Sequence, residues 1–364
     1  MTNTELECLS PFLPQDLLND INIPDDDGDN DNRSLSSLSS SPQPQHTITD
    51  SPDDIIHMLT TFTGSHLLQQ HLHTMSSPHI THLLRALAPS LPMLMCNSFS
   101  SLFLQKLIKL STHSQRMFIL TSIRSSFIAI TQHNCGVHCI EALLDKCTTQ
   151  SEYNAIYASI KSHLLDLTLH HNSTHFMQKL LEINVFNVKY LHTFMLSCFC
   201  VLCTHLHGAT VLRKYIATVT DERTIEAIIA VMESNCVQMC QNQYANYIVQ
   251  HAIEQFGYAK CKKVIDNVIE NVIALSIEKY ASNVVDKVVI VLQRYDYIKF
   301  QHVLMTVFAN AETFVFVNEN KYGHFVLVNL LRLVNESDRM VIKACLVNSK
   351  LNWNRKVMKI VNCL

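Results

Sequence analysis

The sequence predicts an all-α fold, a solenoid of eight stacked repeats, on three observations. A small residue recurs at near-constant spacing: Gly64, Ser100, Gly136, Ser173, Gly208, Ala245, Ala281 and Gly323, separated by 36, 36, 37, 35, 37, 36 and 42 residues. Four of the chain's six glycines fall at this one position. Behind each small residue runs a stretch apolar on one helical face and polar on the other, and amphipathic segments fill the intervals. A fixed period of this length marks a supersecondary unit that buries its apolar face only by stacking on its neighbours.

The elements follow in chain order. Residues 1–53 read as an acidic, Ser-rich tail and 54–364 as the repeat domain with its terminal caps. Residues 1–54 hold 12 acidic and 1 basic residue, leaving 19 acidic and 27 basic residues, a balance of +8, for the remainder of a chain whose net charge is −3. A basic body behind an acidic tail points toward an anionic partner. The stretch 19–53 is rich in Asp, Ser, Pro and Gln and too poor in apolar residues to pack, so disorder is expected there. Residues 5–18 are more apolar (Leu9, Phe12, Leu13, Leu17, Leu18), and a floppy tail is preferred to a docking segment.

Calling the residue after each small one position 1, position 3 reads Leu67, Phe103, Cys139, Phe176, Val211, Ile248, Val284 and Val326. Position 4 reads Leu68, Leu104, Ile140, Met177, Leu212, Val249, Val285 and Leu327; position 8 reads Leu72, Ile108, Leu144, Leu181, Ile216, Ile253, Val289 and Leu331. Position 7 is apolar except at His71. At about 100° per residue, positions 3, 4, 7 and 8 share one face and positions 1, 2, 5 and 6 the other. The first is expected to be core, the second displayed. The small residue suits a tight interhelical turn or a close backbone approach.

Segments such as Arg223–Met232 and Lys262–Ile273 read as outer helices. The 42-residue step predicts an extended loop before the last repeat, and the stretch from Ser337 to Leu364 reads as a closing helical cap.

Position 1 carries Ser65, Ser101, Val137, Thr174, Ala209, Asn246, Ser282 and His324. Position 5 carries Gln69, Gln105, Glu141, Gln178, Arg213, Gln250, Asp286 and Val328. One turn apart, two such side chains can meet one edge of a flat base. Position 2, beside them, holds His66, Leu102, His138, His175, Thr210, Tyr247, Asn283 and Phe325, of which the rings suit stacking between bases. Lys106, Lys179, Lys214 and Lys287 at position 6 are placed to meet phosphates.

The segments QYANYIVQHAIE (243–254), KYASNVVDKVV (279–289), NSTHFMQKLLE (172–182) and KYGHFVLVNLL (321–331) resemble repeats of the Pumilio (PUF) family. The resemblance spans roughly residues 54–364, is strongest in the sixth and seventh repeats and weakest in the third, fifth and eighth. It implies a right-handed crescent of eight three-helix repeats binding single-stranded RNA on its concave face, one base per repeat, with the RNA 5′ end at the eighth repeat. It further implies that Asn246 with Gln250 reads uracil, Ser282 with Asp286 guanine (through a shorter acid than usual), and the Ser65/Gln69 and Ser101/Gln105 pairs adenine. Val137/Glu141, Thr174/Gln178, Ala209/Arg213 and His324/Val328 depart from familiar pairings, and Val328 has no hydrogen-bonding group.

Cys198, Cys200, Cys203, His205 and His207 suggest metal ligands at first sight. Cys203, however, falls where other repeats carry Thr131, Thr168, Cys240 and Ser276, and no second ligand pair follows at zinc-finger spacing. Buried free cysteines are the better reading, with no metal and no cofactor. His79 and His82 are isolated. Thirteen cysteines, an odd count scattered through apolar segments, suit a reduced compartment. The N-terminus lacks a basic n-region and a continuous apolar core, and the run Phe194–Cys203 is too short to span a bilayer. No phosphate-cradling Gly-rich loop, HExxH or Gly-x-Ser-x-Gly elbow is present, so no enzyme is expected.

The reading reached is a monomeric, cytoplasmic regulator, with nuclear entry left open. It binds single-stranded RNA in mRNA 3′-untranslated regions and recruits protein effectors. The alternative is a helical scaffold for proteins or structured RNA without base readout.

Overall fold

The computed structural model describes residues 51–183 and 188–347. The expected tail lies almost wholly outside the described residues, as does the cap beyond residue 347. The first described helix, Pro52–Leu59, starts within the stretch assigned to the tail, because Ser51 and Asp54 close a capping box over its first turn.

Among the described residues all regular structure is helical. The eight sequence segments form inner helices: Phe62–His71, Ser98–Leu110, Gly136–Lys146, Thr174–Glu182, Leu206–Thr218, Ala245–Lys260, Ala281–Tyr295 and Gly323–Leu333. Each is preceded by a short helix, such as Leu91–Met95 or Cys236–Gln241, and followed by an outer helix, such as His113–Ser122 or Glu222–Ser234. Consecutive inner helices pack on one another from first to last, and short helices brace them from behind. One continuous apolar core runs between inner and outer layers, with Phe103, Phe176, Leu212, Val249, Val285 and Leu327 almost inaccessible.

The recurring small residue is explained by close approach, not by a turn. A Cβ on Gly64, Gly136, Gly208 or Gly323 would sit 2.4–2.5 Å from the carbonyl oxygen six residues earlier, respectively Met58, Ile130, Leu202 and Val317. Where the residue is serine, its hydroxyl uses the same carbonyl: Ser100 Oγ donates to Leu94 O and Ser173 Oγ to Leu167 O, both at 2.6 Å. Among the described glycines only Gly257 has positive φ (80°), and it breaks the sixth inner helix from its continuation.

Two expectations are corrected. The longer last step makes no extended loop: the extra residues lengthen helices, giving Tyr297–Phe308 and Ala311–Glu319, which meet at 85°. And Leu67, assigned to the core at position 3, is 45% exposed. Position 3 packs against the preceding inner helix, as Cys139 Sγ does in donating to Ser101 O. The described residues supply no inner helix before the first repeat to cover Leu67.

The outer layer carries its own cross-repeat tie. Arg116 Nε donates to Glu152 Oε1 at 2.7 Å from one outer helix to the next, with Glu152 fully buried. Burial alone would raise the Glu152 carboxyl, but hydrogen bonds from Arg116, Thr148 N–H and Thr149 bring it down to about 2. No single described helix is long and apolar enough to cross a membrane.

Candidate nucleic-acid interface

The inner helices place position 2 on an open face once per repeat. His66, Leu102, His138, His175, Thr210, Asn283 and Phe325 are exposed, Phe325 by 61%, and Tyr247 is half-buried. Beside them the position 5 groups Gln69, Gln105, Gln178, Gln250, Asp286 and Val328 are half-buried, Arg213 is exposed and Glu141 is buried.

Position 1 does not share that display, which corrects the two-face reading. Ser65, Ser101, Val137, Thr174, Ala209, Asn246 and Ser282 are all buried; His324 alone is half-buried. The cause is the stacking itself. Position 1 lies in the seam with the next inner helix, as Ser65 Oγ shows by donating to Phe99 O at 2.8 Å. No described inner helix follows the eighth repeat, so His324 keeps its exposure. Small residues suit a seam this narrow.

Position 1 therefore supports position 5 from beneath. Gln69 Nε2 donates to Ser65 Oγ at 3.2 Å, and Gln250 Nε2 donates to Asn246 Oδ1 at 3.1 Å. Asn246 in turn donates to the carbonyls of Asn242 and Gln243. In the sixth repeat the Gln250 amide nitrogen is thus held by both the side chain and the carbonyl of Asn246.

Two position 5 acids are engaged across the seam. Glu141 lies 3.4 Å from Nδ1 of His138 in its own repeat and 2.8 Å from Nδ1 of His175 in the next. Asp286 Oδ2 accepts from Asn329 Nδ2 at 2.9 Å, while its Oδ1 is buried with no hydrogen-bond partner. Burial pushes the Asp286 carboxyl up to about 6, against the lowering effect of Asn329.

The position 6 lysines differ from expectation. Lys179 pairs with Asp145 at 2.8 Å, Lys214 with Glu182 and Lys287 with Glu254. Each carboxylate is the ninth-position residue of the preceding repeat, so the three pairs form a ladder across the third–fourth, fourth–fifth and sixth–seventh seams. Lys106, exposed, has no carboxylate partner among the described residues, and neither does exposed Arg213.

Sequence reasoning missed a further pair of side chains just ahead of the seventh and eighth inner helices, whose N-caps are Tyr280 and Tyr322. Lys279 Nζ sits 4.9 Å over the Tyr280 ring, and Lys321 Nζ lies 5.5 Å over Tyr322. Tyr247 is close by: its hydroxyl is raised by burial and by Tyr280 and lowered by Lys279. Both lysines are exposed and free of carboxylates among the described residues. The repeated Lys-Tyr dipeptide ahead of the small residue was the signal available.

Cys203 is buried in the common packing position, its Sγ turned to Cys200 O as Thr131 and Thr168 turn theirs to carbonyls. Cys200 is exposed, contrary to the buried reading. No group of ligands suited to a metal ion occurs among the described residues. His79 bonds to Ser76.

Comparison with known proteins agrees with this geometry. The family profile described as Pumilio-family RNA binding repeat matches residues 91–124, 163–184 and 235–269. Fem-3 mRNA-binding factor 1 of Caenorhabditis elegans is 34% identical over 68 residues, 18% of this chain and 11% of that protein. A Pumilio domain-containing protein of Schizosaccharomyces pombe is 24% identical over 228 residues, 62% of this chain and 33% of the relative. The chain thus spans no more than a third of the length of these two relatives. Among solved structures, the Puf4 RNA binding domain bound to HO endonuclease RNA 3′ UTR recognition sequence superposes with a TM-score of 0.74 at 20% identity, covering 84% of this chain and 97% of that one. The RNA-binding domain of yeast Puf5p bound to AAT2 RNA gives 0.71 at 19% identity, over 87% and 98%. The second, fourth and sixth repeats are thus similar to Pumilio-family RNA binding repeats, and the chain shares the solenoid fold of the Puf structures.

Proposed function

We propose that this protein binds single-stranded RNA along its inner helices with base selectivity, and thereby regulates mRNAs through their 3′-untranslated regions in the cytoplasm. The observation that carries this reading is the strip of position 2 groups, one per repeat, each flanked by a position 5 group, of which Gln69, Glu141, Gln250 and Asp286 are held in place by their own repeat or the next one. A strand laid along the strip meets a position 2 group in every repeat and a polar position 5 edge in the first seven, which is how one base per helical repeat is read. The relatives named for mRNA binding, and the structures solved with 3′ UTR sequences, support the same reading.

The sixth and seventh repeats are expected to select most strongly. Tyr247 supplies a ring, Gln250 a braced amide, and Asp286 a half-buried carboxylate whose Oδ1 has no partner in the protein. The third repeat is expected to select least, because Glu141 is occupied by two histidines and Val137 is buried. Selection of ligands from a random single-stranded RNA pool tests this. An enriched motif whose sharpest positions vanish with the Tyr247→Ala, Gln250→Ala double variant supports it; equal affinity for scrambled sequences of one length refutes base readout and favours a scaffold.

A further inference from the structure

The first repeat carries an aromatic surface that the base-reading scheme does not use. Phe62, at the first turn of its inner helix, is 70% exposed. It precedes His66 by four residues, so both side chains lie on the same strip of the helix. Their rings are parallel to within 7°, with centroids 6.4 Å apart. Phe99, from the second inner helix, meets Phe62 edge-on at 75° and 6.1 Å. Exposed Leu102 (54%) borders the group.

We propose that Phe62 and His66, with Phe99 closing one side, form a shelf for one additional unpaired nucleobase at the end of an RNA strand lying against the first repeat. This rests on the RNA reading above. Three features favour a base as the occupant. The rings present aligned flat faces, which suit a planar heteroaromatic ring and give an aliphatic peptide side chain no advantage. The surface continues the position 2 strip, one helical turn from His66. And its phenylalanine is confined to the end of the track: the corresponding places in the later repeats hold Ser98, Asn134, His171, Leu206, Gln243, Lys279 and Lys321, of which only His171 carries a ring, and that ring stacks on His170. A base within the strand has stacking neighbours on both sides, whereas a terminal base has one free face and gains most from a shelf.

The test uses the full chain and the RNA recovered by selection, unextended or extended by one purine at either terminus, each extension also made as an abasic residue. Fluorescence anisotropy gives the affinity ratio of extended to abasic-extended RNA. At the terminus facing the first repeat this ratio is expected to be about tenfold, the range of a single base–aromatic stack. It should fall to about one in Phe62→Ala, persist in Phe62→Trp, and be unchanged in Ile298→Ala, an 81% exposed residue of an outer helix. A ratio near one in the wild type at both termini, or one indifferent to Phe62→Ala, overturns the shelf while leaving base readout intact. If the unextended RNA itself shows no dependence on Tyr247 and Gln250, it is the RNA reading that fails.

Discussion

Asp286→Asn separates stability from binding in one residue. The wild-type carboxyl sits in the seam between the seventh and eighth inner helices, satisfied at Oδ2 by Asn329 and orphaned at Oδ1. Burial raises it from 3.8 to about 6. At about 1.4 kcal/mol per unit, a shift of this size makes the charged form cost about 3 kcal/mol of stability at neutral pH, and about 2 once the residual solvent contact of a half-buried group is allowed for. The sign follows from proton binding. The folded state holds this proton up to a higher pH than the unfolded chain does, so the penalty is fully present above about pH 6.5 and is relieved as pH falls toward 4. Asparagine removes the charge and keeps an acceptor for Asn329. Hydrogen exchange at amides of Ala281–Tyr295 and Gly323–Leu333 reports this locally, which matters because a solenoid need not unfold as one unit. The variant should gain about 2 kcal/mol of protection at pH 7.5, about a third of that at pH 4.5 and almost none at pH 3. RNA binding should move the opposite way, losing selectivity at the seventh-repeat base because an amide group replaces the unpaired carboxylate oxygen. Equal pH dependence in wild type and variant, or a variant less protected at pH 7.5, would refute the burial argument.

The other predictions draw on different parts of the molecule. Replacing Lys279 and Lys321 by alanine should shallow the salt dependence of RNA affinity by about two counterions, whereas replacing Lys179, Lys214 and Lys287 should leave that slope nearly unchanged, since their charges are already met; binding isotherms from 50 to 300 mM salt decide this. Each ladder pair should contribute at most about 1 kcal/mol to stability in double-mutant cycles. Glu152→Ala, which strands the buried Arg116, should cost about 3–5 kcal/mol in denaturant unfolding. The wild-type contribution of Glu152 should be complete above about pH 4.5 and lost as pH drops toward 2, because its folded carboxyl is depressed to about 2. Gly208→Val should destabilise the fifth repeat by more than 2 kcal/mol, read as lost exchange protection in Leu206–Thr218, because its Cβ would meet Leu202 O at 2.5 Å.

The core was legible because helical periodicity concerns one helix at a time. Positions 4 and 8 repeat with little variation, and each contributes to the layer between inner and outer helices. The seams were not legible in the same way. Whether position 1 faces solvent depends on the next inner helix, some 36 residues on, and a helical wheel holds no information about it. The same blindness hid the ladder from Asp145 to Lys179 and from Glu254 to Lys287, whose partners are separated by 34 and 33 residues. It also explains why the exceptions sit at the ends: among the described residues Leu67 has no preceding inner helix and His324 no following one. The insertion before the last repeat was visible as length, but its residues Tyr297–Glu319 are apolar enough to extend helices, and loop chemistry is confined to Ala309 and Asn310.

The central claim is that position 2 of successive inner helices forms one track for a single strand. Photo-cross-linking of the full chain to a selected RNA bearing one 4-thiouridine at successive positions, followed by peptide sequencing, tests it most directly. Cross-links should step through His138, His175, Tyr247 and Phe325 in order as the label moves along the strand. Cross-links scattered over the outer helices, or fixed at one residue wherever the label stands, would contradict it.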